Sequence, residues 1–252
     1  QKLEELKKSI SLVKNCDLKK SAKNLVFADG NINAKIMVIG EGPGSQEDIL
    51  GTPFAGRAGK LLDKMLESIQ LNREKVYISN VVNYRPPENR RPTEEEVERY
   101  LPYLKSHIEI INPKILLLLG STSLNTLIGD DEVISKARGK WIQKDIGQAK
   151  PWIIASFHPA FLMWQPEQKK IAWLELKQNA EKLSQERHDI SSELDLQIIE
   201  QLQQLGMEKA KFKTRFKEKV GLEADNHTEN GIDHVEFMLS VNPGQNMKSL
   251  IQ

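Results

Sequence analysis

Residues 35–59 read KIMVIGEGPGSQEDILGTPFAGRAG, and this stretch decides the fold class. Its first six residues, 35–40, form a short apolar run that is typical of a buried parallel strand, and a glycine-rich loop follows. Beyond the loop, residues 58–69 carry apolar side chains at helical spacing: Leu61, Leu62, Met65, Leu66 and Ile69. A strand, a loop and a helix in this order indicate the repeating unit of an α/β fold.

Three further segments have the same apolar character as this first strand: residues 76–81, 114–120 and 152–157. Helical patterns separate them, at 94–111, where Thr93 and Glu96 form a capping box, and at 121–128. The order β-α-β-α-β-α-β predicts an α/β/α sandwich around a four-stranded parallel sheet. Ligands of such a sheet bind beyond the carboxyl ends of its strands.

Composition places the chain among globular proteins, because 39% of its 252 residues are hydrophobic and 28% are charged. The longest apolar stretch, 115–119, is far below the roughly 20 residues that span a bilayer, and no signal segment opens the chain. We therefore expect a cytoplasmic protein with no membrane partner. The net charge of +1 indicates no partner by itself, because a DNA-binding protein concentrates its charge locally.

The loop after the first strand is rich in glycine, and two interpretations of it remain equally open. It has neither the Lys-Ser/Thr ending of a nucleoside-triphosphate loop nor the glycine spacing of a dinucleotide fingerprint. A cradle for phosphate and a simple tight turn both fit it.

The loop after the second strand is stiff and basic, since it combines prolines with Arg85, Arg90 and Arg91. Such a loop suits a nucleic-acid backbone, and a solvated charge run is the alternative. The candidate site is the edge of the sheet where four chemically capable side chains meet: Glu41, Phe54, Asn80 and His158.

Four motifs occur in the same order along the chain as in one known protein family. They are GEGPGSQEDILGTPFAGRAGKLLDKML from Gly40, NVVNYRPPENRRPTEEE from Asn80, LLLLGSTS from Leu116, and HPAFL from His158. Together they resemble the family 4 uracil-DNA glycosylases over about residues 15–177. The resemblance implies an enzyme that flips uracil out of DNA and hydrolyses its N-glycosidic bond, leaving an abasic site. It further implies that the partner is uracil-containing DNA, and we expect a monomer without a cofactor.

The family's base-binding roles carry over to three positions. Phe54 would stack on the flipped base, and Asn80 would read the O4 and N3–H edge of uracil through its amide. His158 would donate a hydrogen bond to uracil O2 as negative charge builds on the departing base. A non-catalytic DNA-binding or repair-associated interaction protein is the alternative, and the presence of these three residues favours catalysis.

The attacking water has three candidate partners, Glu41, Glu47 and Asn89, and the sequence does not decide among them. Gly42 stands in the substrate-binding motif where classical uracil glycosylases carry an aspartate. Leu162 would enter the duplex as an apolar wedge. Contacts to the DNA backbone are expected from the three loop arginines named above.

The cysteine content departs from the family pattern. Family 4 enzymes usually hold a four-iron cluster on four cysteines, and Cys16 is the only cysteine here. The motif spacings place Val13, Tyr84 and Tyr100 at the other three positions, so we predict no metal centre. Packing is expected to replace the cluster, as in a cluster-free branch resembling that of alphaproteobacteria. The loop at 85–92 has no histidine, which argues against a covalent DNA-trapping role.

The character of the chain changes after residue 178, which predicts domains at 1–178 and 179–252. An amphipathic helix is predicted at 183–205, followed by a β-pair around a loop at 221–232. The stretches KLSQERHDISSEL, LQQLGMEKAKFK and GIDHVEFMLSVNPGQNMKSL, which begin at Lys182, Leu202 and Gly231, resemble the repair ATPase RecN where a coiled-coil arm returns to the ATPase head.

Because no Walker A motif is present, we expect no ATP binding by this small α+β fragment. A gene-fusion remnant or a gene-prediction artefact is favoured over a working bifunctional enzyme. The chain begins with Gln1, which leaves the completeness of the N-terminus open.

Overall fold

The structure is a computed structural model that describes residues 1–69, 71–129, 131–205, 207, 209–216, 235–240 and 246–250. The chain forms two compact units, Gln1–Glu175 and Leu176–Gln252. The helices are α1 Lys2–Ser11, α2 Asp17–Ser21, α3 Ser45–Leu50, α4 Arg57–Glu67, α5 Glu94–Ile111, α6 Ser121–Leu127, α7 Ile134–Ala137, α8 Pro159–Trp164 and α9 Pro166–Gln204. The strands are β1 Asp29–Gly30, β2 Ile36–Gly40, β3 Val76–Asn80, β4 Ile115–Leu119, β5 Trp141–Gln143, β6 Trp152–Ser156, β7 Lys211–Phe216, β8 Val235–Ser240 and β9 Lys248–Ser249.

The main sheet has six strands in the order β1-β3-β2-β4-β6-β5. The four central strands are parallel and are those predicted, while β1 and β5 are antiparallel edge strands. The prediction of a four-stranded, purely parallel sheet was therefore wrong in the number of strands and in the direction of the two edge strands. Both added strands are only two or three residues long, too short to show the apolar run by which the central strands were predicted.

Both faces of the main sheet are covered, as an α/β/α sandwich requires. Successive residues of β2 alternate between two clusters, with Met37 and Ile39 packed with helix α5 and Val38 packed with helix α4. The strands are buried on both sides, which explains why they appear in the sequence as continuous apolar runs.

The helices predicted in the first unit have bounds close to those observed, and the exception is helix α9. Helix α5 has the predicted bounds, with its capping box between Thr93 and Glu96 formed. Helix α9 begins at Pro166, seventeen residues before the predicted start at 183. It continues because no glycine or proline follows Pro166 until Gly206.

The second unit contains an antiparallel sheet in the order β7-β8-β9. The predicted β-pair is present between β7 and β8, and β9 was not predicted. Phe212 stacks on Phe237 across the pair, and Asp195 of α9 accepts hydrogen bonds from the backbone and hydroxyl of Thr214. The predicted loop at 221–232 lies outside the described residues.

Within the described ranges, no helix combines the length and the apolar character needed to cross a bilayer.

Candidate active site

A cavity of about 160 Å³ lies where β2 and β3 end, and it gathers most of the predicted site residues. Eight of them line it: Glu41, Gly42, Glu47, Phe54, Asn80, Asn89, Arg90 and His158. Its remaining lining is mostly small or apolar, including Ala58, Ala160 and Pro86. The cavity is therefore a small site with a few convergent polar groups, as expected for a small ligand.

Phe54 is held in an unusual backbone conformation at the wall of this cavity. Its φ is +51°, in the left-handed region that side chains other than glycine rarely adopt. The backbone of helix α4 approaches so closely that a Cβ on Gly59 would lie 1.6 Å from the Phe54 carbonyl oxygen. The ring of Phe54 lies 5.6 Å from the ring of His158, with a tilt of 30°.

Arg73 holds the backbone around Phe54 in place. Its guanidinium donates hydrogen bonds to the carbonyl oxygens of Pro53 and Phe54. It also forms ion pairs with Asp29 at 2.7 Å and Asp63 at 2.8 Å. These contacts, led by the bond to Asp63, raise the pKa of Arg73 against the opposing effect of burial. Sequence analysis missed Arg73, because no motif contains it and its contacts join distant segments.

Asn80 ends β3 and is 3% exposed, with its side chain on the cavity. Its amide has no hydrogen-bond partner among the residues that the structure describes, so both its donor and its acceptor are available to a ligand. Gly42 also lines the cavity, and a Cβ at this position would approach the Val82 side chain at 2.8 Å. A side chain at Gly42 would therefore have to displace Val82.

His158 is the N-cap of α8, and its Nδ1 accepts a hydrogen bond of 3.2 Å from the backbone N–H of Ala160. Burial lowers the pKa of His158 to about 4, and the charge of Glu47 only partly opposes this effect. The ring is thus neutral near pH 7. Because Nδ1 is an acceptor, the proton belongs on Nε2, which becomes a hydrogen-bond donor.

The two candidate glutamates differ in how their carboxylates are occupied. Both oxygens of Glu47 accept backbone N–H bonds, from Gly44 at 3.1 Å and from Gly56 at 2.7 Å. In Glu41 only Oε2 has a partner within the described part of the chain, the hydroxyl of Thr122. Thr122 was missed by sequence analysis, although its position just after β4, at the edge of the site, was a usable signal.

The basic loop is folded back on itself. Arg85 donates to Asn89 Oδ1 at 2.8 Å, and Arg90 pairs with Glu96 at 2.6 Å. The hydrogen bond from Arg90 holds the pKa of Glu96 below its usual value. Arg91 is exposed. Asn89 lies on the cavity with its amide nitrogen still available, while its oxygen is taken by Arg85.

Leu162 does not lie where its predicted role requires. It is 1% exposed and packs with Phe157 and Ala172, because the helical turn of α8 directs it into the core. The exposed aromatic side chains of the same helix are Phe161 at 43% and Trp164 at 83%. Because Leu162 is buried in the core, the prediction that it enters the duplex as a wedge is corrected.

The four positions that correspond to cluster ligands meet in one apolar cluster: Val13, Cys16, Tyr84 and Tyr100 are all buried. The Cys16 sulfur lies 3.3 Å from the Tyr100 hydroxyl, in hydrogen-bond contact. This set offers one thiol, and the two tyrosines have pKa values raised by burial, so it does not fit an iron-sulfur cluster. In the described part of the chain, no group of three or more His, Cys, Asp or Glu side chains is arranged to hold a metal ion.

Comparison with known proteins matches the sequence of most of the first unit to one family. Residues 27–178 match the model of the uracil DNA glycosylase superfamily. The chain is 40% identical over 171 residues to a type-4 uracil-DNA glycosylase of Archaeoglobus fulgidus, covering 66% of this chain and 86% of the relative. It is 44% identical over 149 residues to a type-4 uracil-DNA glycosylase of Thermotoga maritima, covering 59% and 76%.

A separate match concerns the repair protein RecN. The chain is 42% identical over 77 residues to the DNA repair protein RecN of Halalkalibacterium halodurans, covering 31% of this chain and 14% of the relative. The resemblance to the uracil-DNA glycosylases is thereby confirmed, and the partial match to RecN agrees with the second resemblance without covering most of that protein.

Proposed function

The chain belongs to the uracil DNA glycosylase superfamily, and we propose that it is a type-4 uracil-DNA glycosylase that releases free uracil from DNA by hydrolysing the N-glycosidic bond. One observation carries the proposal: Phe54, Asn80 and His158 converge on a single narrow cavity at the carboxyl ends of the parallel strands. Uracil is planar, polar along one edge and anionic as a leaving group. The three side chains match these properties in turn.

Recognition of the base rests on Phe54 and Asn80. The aromatic ring offers a stacking surface, and the amide offers one donor for uracil O4 and one acceptor for N3–H. Cytosine presents the opposite pattern at both atoms. An unpaired buried donor or acceptor costs about 1–3 kcal/mol, so the amide disfavours cytosine.

Bond cleavage places the electron pair of the C1′–N1 bond on uracil, and its negative charge spreads to O2. A neutral His158 with its proton on Nε2 is suited to donate a hydrogen bond to O2 at this stage. The backbone N–H of Ala160 supports that tautomer, because it occupies Nδ1. No proton needs to leave the histidine for this stabilisation.

Water must attack C1′ as the base departs, and Glu41 is the better candidate to orient it. Its Oε1 has no partner among the described residues, whereas both oxygens of Glu47 hold backbone amides. We assign Glu47 to clamping the glycine-rich loop. Asn89, whose amide nitrogen is available, is the second candidate for contact with the water.

On the DNA side, we assign backbone contacts to Arg85, Arg90 and Arg91, and we transfer the wedge from Leu162 to the exposed aromatics of α8. Insertion of an apolar side chain replaces stacking that is lost when the base leaves the duplex. Trp164, at 83% exposed, is the larger such surface.

For the domains, we propose that residues 1–178 form the glycosylase and that 179–252 are a RecN-derived fragment without ATPase activity. The RecN match supports the description as a fragment, since it covers only 14% of that relative. No catalytic role in uracil release is assigned to the fragment.

The test is release of free uracil from a uracil-containing oligonucleotide by the purified full chain in the presence of a metal chelator. We expect colourless protein and complete release, with no release from a matched cytosine oligonucleotide. Absence of uracil release under single-turnover conditions would refute the proposed activity. Brown protein whose activity and colour are lost together would refute the metal-free assignment.

A further inference from the structure

A second, basic groove lies beside the candidate active site, with a volume of about 300 Å³. It is lined by Arg57, Lys60, Leu61, Lys64, Met163 and Lys169. Four of these side chains are cationic and the other two are apolar, so none of the described residues in the lining is acidic. The lining therefore suits an anionic ligand with an apolar portion.

The cations are arranged in a row. Arg57, Lys60 and Lys64 are spaced i, i+3 and i+7 on α4, so they lie on one face of the helix. Seven residues of helix extend about 10 Å. Phosphates of one DNA strand follow each other at about 3.4 Å of helix axis and are farther apart along the winding backbone, so a row of this length can face more than one phosphate.

The charge of this row is available to a ligand. Arg57, Lys60, Lys64 and Lys169 are exposed, and none of them forms an ion pair with another residue that the structure describes. The nearest acid in the sequence of α4, Asp63, is paired with Arg73 instead. The net charge of +1 thus conceals a local concentration of positive charge.

Two helices, α4 and α8, contribute residues both to the groove and to the active-site cavity. On α4, Ala58 lines the cavity while the adjacent Arg57 lines the groove. On α8, Ala160 lines the cavity and Met163 lines the groove. This wall of the cavity is distinct from the one formed by the arginine-bearing loop at 85–92.

We propose that this groove binds the phosphodiester backbone of the DNA strand next to the extruded nucleotide, with the cations on the phosphates and Leu61 and Met163 against the sugars. The inference rests on the proposed glycosylase function and assigns it a DNA contact that the sequence motifs do not contain. The strand would enter the cavity between two basic elements, the groove and the arginine loop.

The test is the salt dependence of binding by the full chain to a DNA duplex with a tetrahydrofuran abasic site, which cannot be cleaved. We compare the wild type with Lys60→Gln/Lys64→Gln. The slope of log Kobs against log salt is negative, and loss of each phosphate contact makes it less steep by about 0.9, so the slope of the double variant should be less steep than that of the wild type by roughly 2. Lys60→Gln alone should change the slope by about half of that.

The matched control is Lys114→Gln/Lys150→Gln, which removes the same charge just before β4 and β6, at the opposite ends of the parallel strands. Its slope should stay within about 0.3 of the wild type. The proposal that the groove binds DNA would be wrong if the slope became less steep by the same amount in both double variants, or if it did not change in Lys60→Gln/Lys64→Gln. Failure of the glycosylase proposal is a separate result, because it is measured as absence of uracil release by the wild type.

Discussion

The guanidinium of Arg73 donates a hydrogen bond to the main-chain carbonyl of Phe54, the residue proposed to stack on uracil. Phe54 has a φ of +51°, a conformation that costs on the order of 1–3 kcal/mol and persists only when its surroundings enforce it. Arg73 and the close packing at Gly59 supply that constraint. Arg73 is thus a positioning residue for the base-binding ring.

We predict that Arg73→Met lowers the single-turnover rate of uracil release by about tenfold to a hundredfold. The reason is that a misplaced Phe54 ring stabilises the transition state less, and each loss of about 1.4 kcal/mol slows the reaction tenfold. The inhibition constant for free uracil should rise in parallel, because binding of the base itself is impaired. Arg73→Lys should recover part of both. The control is Tyr77→Phe, which removes a buried hydrogen bond to His107 on the other face of the sheet. If Tyr77→Phe reduces uracil binding as strongly at equal stability, the positioning role of Arg73 is wrong.

Asn80→Ala and His158→Ala should each lower single-turnover uracil release by about tenfold to a thousandfold. Loss of one oriented donor in such a site costs roughly 2–4 kcal/mol of transition-state stabilisation. Asn80→Asp is the sharper variant, since its carboxylate removes the donor for O4 and repels the leaving group. Thermal unfolding verifies that the variants are folded, and unchanged rates in both alanine variants would remove the catalytic assignment.

The sequence predicted the parts of this site whose signal is local. Asn80 ends one apolar strand and His158 follows another, and their convergence required only that parallel strands end at one edge. Arg73 acts through a contact with Phe54 that is remote in sequence, so spacing alone does not reveal it, whereas the position of Thr122 just after β4 was a signal that could have been used. Leu162 was misplaced because the motif gives its position on α8 but not the face of that short helix. The edge strands β1 and β5 are defined by pairing with their neighbours rather than by their own composition.

Two buried histidines should make the folded state sensitive to acid. Burial lowers the pKa of His107 to about 4, as it does for His158. As the pH falls below about 6.5, the unfolded chain binds protons that the folded chain does not, so the free energy of unfolding decreases until about pH 4. Each histidine contributes a loss on the order of 3 kcal/mol across that window.

This loss is measured by denaturant unfolding at a series of pH values. His107→Phe/Tyr77→Phe removes one histidine and the hydroxyl bonded to it, and its stability should fall less steeply between pH 6.5 and 4 than that of the wild type. Uracil release at saturating enzyme should show no inflection near pH 6.5 while the protein stays folded, because His158 remains neutral. An inflection there would contradict the lowered pKa of His158.

Leu162→Ala and Trp164→Ala should separate packing from DNA contact on α8. Leu162→Ala removes a core side chain and should lower the free energy of unfolding by about 2–5 kcal/mol. Trp164→Ala changes an exposed position and should stay within about 0.5 kcal/mol of the wild type. The wedge assignment predicts that Trp164→Ala slows uracil release from duplex DNA more than from single strands. The same selective loss in Leu162→Ala, with Trp164→Ala unaffected, would restore the original assignment.

The last prediction concerns the second unit: a chain ending at Gln178 should fold and release uracil as well as the full chain. Every strand of the main sheet and every residue that lines the cavity precede that point. The truncation also keeps Ala172 of α9, which is 1% exposed and packs with Phe157 and Leu162 next to His158. A chain ending at Gln165 loses that contact, so its melting temperature should drop by several degrees, at about 2–4 °C per kcal/mol.

Comparison of the two truncations therefore locates the end of the glycosylase within α9. The competing hypothesis is that the apolar side chains of α9 beyond 178 stabilise the enzyme; Ile190, for example, is 64% exposed. That hypothesis predicts a lower melting temperature already for the chain ending at Gln178. Limited proteolysis of the full chain gives an independent measurement, because an incomplete ATPase head buries too little surface to offset its chain entropy. A second unit that resists protease, and whose removal abolishes uracil release, would show that the glycosylase does not end in this part of α9.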